Sequence, residues 1–253
     1  MQNTQIIILA GGLGTRMNSG KPKSLTLLRG KPFLGYILDV VDSLKMPIPP
    51  VIVVGHRKEE VINAFGPKRR YAEQAEPLGT GQAVASAKDK VHPGGTITLV
   101  LSSDQPLLSK KTIERLLLAH HENKSTVTMA TVTVPDFEEW RKGLRHFGRI
   151  IRDSNGKMEA ILEFKEASEN EKLIKELNPA VYAFDSEWLW QNIGFLQNNN
   201  AKNEYYLTDM IKIARGQGKK IETAPLASLI EACQPNTMEE VVALEKLLAK
   251  SNV

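Results

Sequence analysis

The strongest constraint on this chain is a run of four apolar residues, Ile6-Ile7-Ile8-Leu9, that opens directly into Ala10-Gly11-Gly12-Leu13-Gly14-Thr15-Arg16. Consecutive apolar, β-branched residues with no polar alternation predict a strand buried on both faces, as at the centre of a parallel sheet. Such a strand delivers its loop to the carboxyl edge of the sheet, where open α/β folds bind ligands. Gly11, Gly12 and Gly14 lack the Cβ that would hold an anion away from the backbone, so successive N–H groups can turn into one concavity. Arg16, Lys21 and Lys23 follow with no acidic residue between Gly11 and Lys23. Shape and charge together suit a polyphosphate. Two other phosphate loops are excluded. A P-loop needs its second glycine and Lys-Ser/Thr at a spacing absent here, and a dinucleotide fingerprint needs a small residue where Met17 stands and an acid on the next strand.

The rest of the chain reads as alternating helices and strands. Apolar residues at Phe33, Leu34, Ile37, Leu38, Val41 and Leu44 have helical spacing, and Pro47, Pro49 and Pro50 end that helix before a buried strand over 51–54. A short helix over 59–65 and a strand over 70–73 come next, then a strand over 96–101, a helix over 109–121 and a strand over 125–134. The pattern breaks over 135–145. Two strands, 147–152 and 158–163, then flank Asp153-Ser154-Asn155-Gly156, a hairpin signal. A strand over 179–184, a helix over 210–217 and a terminal helix carrying Val241, Leu244, Leu247 and Leu248 complete the order. Asn198-Asn199-Asn200 reads as a flexible loop. This predicts an α/β fold: a Rossmann-like, mostly parallel mixed sheet flanked by helices, with a small β-rich lobe. Within one domain it divides into halves over 1–134 and 135–236, with a terminal helix over 237–253.

Composition narrows the function classes. A 42% hydrophobic content over 253 residues supports one large domain. No apolar run approaches the roughly 20 residues that span a membrane, and no cleavable signal precedes the first strand, so a cytoplasmic protein with no membrane partner is expected. The single Cys233 excludes an internal disulfide, and the five His residues show no metal-ligand spacing. His120-His121 reads as a solvated helix end, because neighbours point to different faces. A net charge of +4 and the short run Lys68-Arg69-Arg70, without interleaved aromatics, argue for a solvated surface and no nucleic-acid partner.

Other positions carry two readings each. Gln74 offers a donor and an acceptor on one group, as the amide edge of uracil requires, with Gly79 and Thr80 close behind; it could equally be a surface polar residue before a helix start. Asp104 follows the strand over 96–101, where a carboxylate can share Mg²⁺ with substrate phosphates or simply cap a turn. Glu163 could be a surface charge paired with Lys165. Thr208 and Asn236 stand where helix N-caps are favoured.

Leu9-Ala10-Gly11-Gly12-x-Gly14-Thr15-Arg16-Met17 with Lys21-Pro22-Lys23 resembles the signature loop of the sugar-phosphate nucleotidyltransferases, which join a nucleoside triphosphate to a sugar 1-phosphate and release pyrophosphate. The segments 74–83, 147–152, 161–167 and 204–209 occur in the order found in the uridyltransferase domain of the bacterial GlmU family, so that the resemblance runs from about Ile6 to Leu247. It implies a nucleotide-diphospho-sugar transferase fold and synthesis of UDP-N-acetylglucosamine from UTP and N-acetylglucosamine 1-phosphate. It implies nucleotide contacts at Leu9, Ala10, Gly11, Gly12, Gly14 and Thr15, uracil recognition at Gln74, Gly79 and Thr80, and catalytic roles for Arg16 and Lys23. Asp104 and Asn236 become ligands for a Mg²⁺ cofactor. Ser103, Gly148, Glu163, Asn178, Tyr206 and Thr208 take the sugar-side positions. Ser103 replaces a family glycine, and Pro179-Ala180 replaces Thr-Gly; these departures leave open another sugar or nucleotide, and a non-catalytic nucleotide-sugar sensor is a further alternative. No hexapeptide repeat of the GlmU acetyltransferase domain is present in the chain.

Overall fold

A computed structural model describes residues 3–17 and 20–250. The chain begins with β1 (Thr4–Leu9), a two-residue ladder of β2 (Leu27–Leu28) with β3 (Lys31–Pro32), and α1 (Phe33–Ser43). It continues through β4 (Val51–Val54), α2 (Lys58–Phe65), β5 (Arg70–Glu73), α3 (Thr80–Ala85), β6 (Ile97–Ser102), α4 (Lys110–Glu122) and β7 (Val127–Thr133). The second half adds β8 (Arg149–Arg152), β9 (Met158–Leu162), β10 (Glu176–Leu177), β11 (Tyr182–Asp185), α5 (Ser186–Asn192), α6 (Asp209–Gly216), β12 (Ile221–Pro225) and α7 (Met238–Lys250). None of the described helices is long and apolar enough to cross a membrane.

The strand order is β5-β4-β1-β6-β11-β7-β10-β8-β9, with β12 also on β7. β1 runs parallel to both β4 and β6, with Ile7 opposite Val51 and Val100. β11 enters antiparallel between β6 and β7, so the second half of the chain completes the sheet begun by the first. The period of two along each strand decides which layer each residue joins. Ile6 and Ile8 face Leu34, Ile37 and Leu38 of α1 and Leu116 and Leu117 of α4. Ile7 and Val100 face Val84 of α3, Leu189 of α5 and Met210 and Ile211 of α6. A third cluster joins Met17, beyond the glycine loop, to Phe33 and to Val241, Leu244 and Leu248 of α7. Met17 is therefore an apolar anchor, and α7 is the element that holds it.

Arg149 is fully buried without a carboxylate partner among its hydrogen bonds. Its guanidinium donates to the carbonyls of Phe147 (2.5 Å), Arg145 (2.8 Å) and Lys172 (3.1 Å) and lies between the rings of Phe137 and Phe164. Three carbonyls and two aromatic faces substitute for water around a charge that burial otherwise disfavours. The irregular stretch before β8, which contains the 3₁₀ turns Glu139–His146, is thereby fixed to the hairpin.

The structure corrects three expectations. The strand expected over 179–184 starts only at Tyr182: Pro179 has no N–H to give, and Ala180 takes a left-handed backbone (φ +60°) with its N–H donated to Asn178 Oδ1 at 3.0 Å. The run ending at Asn200 is an ordered turn, because that side chain accepts from the N–H groups of Lys202 (3.1 Å) and Glu204 (3.2 Å) and donates to the Glu204 carbonyl (2.6 Å). His121 is exposed, but His120 is buried and its Nδ1 lies 3.0 Å from Thr128 Oγ1.

Burial lowers the His120 pKa to about 4. The unfolded chain binds a proton near pH 6.5 that the folded one refuses, so stability contributed by the neutral imidazole falls as pH drops from about 6.5 towards 4. Urea unfolding across that range is expected to show wild type losing about 3 kcal/mol more than His120→Gln, whose amide does not titrate. Equal losses in both proteins would contradict a buried neutral imidazole.

Candidate active site

The glycine loop and the Gln74 loop meet at the carboxyl edge of the sheet. Ala10 still belongs to the sheet: its N–H donates to the Val53 carbonyl at 2.8 Å and its side chain is buried behind the loop. At Gly11 a Cβ would lie 2.8 Å from Gln74 Oε1, so the glycine lets that side chain rest against the loop. Gln74 is buried, and its Nε2 donates to the Gly79 carbonyl (3.1 Å) and to Gln82 Oε1 (2.8 Å). Gly79 has φ +106°, and a Cβ there would fall 2.6 Å from the Tyr205 carbonyl. The close approach has a purpose: Tyr205 N–H donates to the Leu78 carbonyl, Gly81 N–H donates to the Tyr205 carbonyl, and Thr80 Oγ1 accepts from Leu207 N–H. These bonds join the first half of the chain to the segment that carries Tyr206 and Thr208.

The charged groups converge where β6 ends. Ser103 N–H donates to the Leu9 carbonyl at 3.0 Å, and Asp104 follows. Lys23 Nζ lies 2.5 Å from Asp104 Oδ2 and 2.8 Å from Asn236 Oδ1, and Arg16 Nη2 donates to the same Asn236 oxygen at 3.0 Å. Asn236 is not the cap of α7. Thr237 is, since its Oγ1 accepts from Glu240 N–H at 3.2 Å, and the Asn236 side chain is left to turn towards Lys23. The segment before it is lashed to the end of β6. Gln105 Nε2 donates to the Glu231 carbonyl (2.7 Å), while the buried Glu231 carboxylate accepts from Ser109 N–H and Oγ (3.0 Å each).

Two oxygen donors, Asp104 Oδ2 and Asn236 Oδ1, thus share one cation, the Lys23 ammonium. That donor set also fits Mg²⁺, which takes one or two protein oxygens and completes its shell with water and phosphate oxygens. Among the described residues no cluster of three His, Cys, Asp or Glu side chains is arranged to hold a metal by itself.

A cavity of about 630 Å³ lies over this cluster, walled by Leu9, Gly11, Gly12, Gly14, Thr15 and Arg16 on one side and Gln74, Gly79 and Thr80 on another. Lys23, Ser103, Asp104 and Asn236 close it. Ala10 is not on that wall. A second cavity of about 250 Å³ adjoins it, sharing Leu9, Thr80 and Ser102, and is lined by Gly148, Glu163, Asn178, Tyr206 and Thr208. Of the residues expected on the sugar side, only Ser103 faces the first cavity instead.

Glu163 takes a hydrogen bond from Thr208 Oγ1 at 3.3 Å. Burial raises the Glu163 carboxyl pKa, against the Thr208 bond. Thr208 precedes α6 without capping it through its side chain. Asn178 Nδ2 donates to the Tyr182 hydroxyl at 2.6 Å. Burial first, then the charges of Glu204, Glu163, Glu166 and Asp209, push the Tyr206 phenol up to about 12. Sequence reasoning missed His146, Phe147, Tyr182 and Lys202, which also line the second cavity. His146 and Phe147 adjoin the Gly148 motif and were within reach; nothing local marks the other two.

Residues 6–180 match the MobA-like NTP transferase domain. The chain is 38% identical over 236 residues to the bifunctional protein GlmU of Latilactobacillus sakei, covering 93% of this chain and 49% of that protein. It is 37% identical over 248 residues to the bifunctional protein GlmU of Enterococcus faecalis, covering 98% of this chain and 52% of the relative. It therefore spans about half the length of these curated relatives. The solved 4-diphosphocytidyl-2C-methyl-D-erythritol synthase of Anaerococcus prevotii has the same fold, with a TM-score of 0.67 at 15% identity over 98% of this chain and 99% of that one. With the match extending over most of its length, the chain belongs to the MobA-like NTP transferase domain family.

Proposed function

We propose that this protein joins UTP to N-acetylglucosamine 1-phosphate, giving UDP-N-acetylglucosamine and pyrophosphate. The observation that carries the reading is the convergence of Arg16, Lys23, Asp104 and Asn236 beside a cavity large enough for a nucleotide and open to a second, polar one. The first cavity takes the triphosphate on the glycine loop amides, with Gln74 and Thr80 at the base. The second takes the sugar, whose hydroxyls meet the Gly148 amide, the Glu163 carboxylate and the Asn178 amide. The similarity to GlmU proteins supports this choice of substrates.

A phosphate oxygen of the sugar 1-phosphate attacks the α-phosphorus of UTP, and the bond to the pyrophosphate oxygen breaks in line. No protein nucleophile is required, because positioning and charge neutralisation do most of the work in such transfers. Arg16 receives the departing pyrophosphate. Lys23 leaves its two oxygen partners and turns its ammonium to the phosphate oxygens that gain charge in the transition state. Asp104 and Asn236 are then free to hold Mg²⁺, which when bound supplies positive charge to the phosphates. Consumption of a nucleoside triphosphate supports a cytoplasmic setting for the proposed reaction.

A second reading keeps the chemistry and changes the sugar or nucleotide. Ala180 lines the second cavity in a left-handed conformation, and Ser103 lines the first, each where the resembled family has glycine. Pyrophosphate release with Mg²⁺, measured for the four ribonucleoside triphosphates and thymidine triphosphate against several sugar 1-phosphates, decides between them. The expected maximum is UTP with N-acetylglucosamine 1-phosphate; a maximum elsewhere moves the substrate, and no release from any pair overturns the catalytic reading in favour of a nucleotide-sugar sensor. Lys23→Ala is expected to lower kcat about 100-fold or more with little change in melting temperature. Normal kcat would remove Lys23 from the mechanism. Asp104→Ala is expected to raise the Mg²⁺ concentration at half-maximal rate about tenfold, and an unchanged titration would contradict the ligand role.

A further inference from the structure

Three cavities meet at one side chain. Besides the two already described, a third of about 500 Å³ runs along Arg16, Glu163 and Lys165, and among the described residues Lys202 alone lies on the walls of all three. Lys202 is also the only lysine or arginine among the described residues that line the sugar-side cavity. That cavity otherwise offers Glu163 and Glu204, whose charges, after burial, add to the rise of the Tyr206 phenol pKa. A phosphorylated sugar entering there brings about two further negative charges. Against two carboxylates in a partly closed space the phosphate is repelled unless a cation meets it.

The loop is built to present that cation. Asn200 stitches the turn from 200 to 204 through both ends of its amide, and Tyr205 is clamped to Leu78 and Gly81 on the nucleotide half. The ammonium itself is loosely held: its ion pair with Glu204 spans 3.9 Å and the side chain is half-exposed. A weak surface pair of this kind exchanges readily for a doubly charged ligand. By contrast, Lys23 and Arg16 are already engaged with Asp104 and Asn236 at the triphosphate end.

We infer that Lys202 binds the phosphate of the sugar 1-phosphate and so holds the attacking oxygen at the junction between the two substrate cavities. This deepens the proposed nucleotidyl transfer and rests on it. The residue contributes ground-state binding and orientation of one substrate; the triphosphate is left to the glycine loop.

Steady-state kinetics with UTP and N-acetylglucosamine 1-phosphate test the assignment, or with whichever pair the substrate matrix selects. Lys202→Ala is expected to raise KM for the sugar 1-phosphate about tenfold or more and to leave KM for the nucleotide within about twofold. Lys202→Arg is expected to recover most of the loss, whereas Lys202→Gln, similar in length but uncharged, is not. Unchanged melting temperatures would exclude a folding defect as the cause. A rise confined to the nucleotide KM, unchanged KM values for both substrates, or recovery by Lys202→Gln would each overturn the assignment while leaving the transferase reading intact. A wild-type protein that turns over no pair would overturn the transferase reading and this inference with it.

Discussion

The Lys23 ammonium between Asp104 and Asn236 is the interaction on which the site depends. It joins the end of the glycine loop to residues 81 and 213 positions further along the chain. The Asp104 oxygen cannot be left alone: a partly buried carboxylate without a cation loses the solvation it had in the unfolded chain and gains nothing in return, whereas Asn236 Oδ1 also accepts from Arg16. The arrangement therefore always requires positive charge, and two sources are compatible with it, the ammonium or a divalent ion. Were Asp104 and Asn236 to hold a divalent ion, the Lys23 ammonium would be released from them. Charge balance at one point thereby ties the position of the Lys23 ammonium to whichever cation the two oxygens hold.

That point is fixed by parts of the fold remote from it. β1 and β6 bring Leu9 and Ser102 to the same edge through their parallel register, so the loop and Asp104 emerge side by side. Asn236 arrives by another route, on a segment pinned through Gln105, Ser109 and Glu231. α7 continues that segment and buries Val241, Leu244 and Leu248 against Met17, one residue beyond Arg16. Apolar burial of α7 and hydrogen bonding of the segment before it thus position two of the four charged or polar groups in the cluster. Truncating a large apolar side chain in such a contact costs on the order of 2–5 kcal/mol, enough to matter for a site whose geometry is set at this distance.

How much could be read from sequence follows from where the information resides. β1, β4 and the helix over 33–44 are declared locally, by apolar runs and by helical spacing. So is the glycine loop, whose small residues and cations sit within fifteen positions of each other. β12 is not, because Ile-Glu-Thr-Ala-Pro has no apolar run and exists as a strand only through its pairing with β7. α5 was missed as a short segment whose Trp188 and Leu189 show their purpose only against the far side of the sheet. The burial of His120 depends on Thr128 across the layer, and the turn at Asn200 depends on a side chain bonding its own backbone. Lys202 carries no local signature at all; only the meeting of three cavities distinguishes it from other surface lysines.

The walls of the two cavities are made differently, and on the proposed reading the difference bears on specificity. Around the first cavity the left-handed positions Gly14 and Gly79 are glycines, so the backbone approaches its neighbours without steric penalty. On the second cavity's wall the left-handed position is Ala180, at a cost of roughly 1 kcal/mol, held by the Asn178 side chain through its bond to the Ala180 N–H. Gln234 steadies the same turn by donating to the Pro179 carbonyl at 2.8 Å. A strained residue persists only where its surroundings over-determine it. Here they do so through Asn178, which faces the second cavity and is bonded to Tyr182 as well. The orientation of that amide is thus set by the turn, and on the proposed reading a sugar entering the second cavity would meet polar groups locked before it arrives.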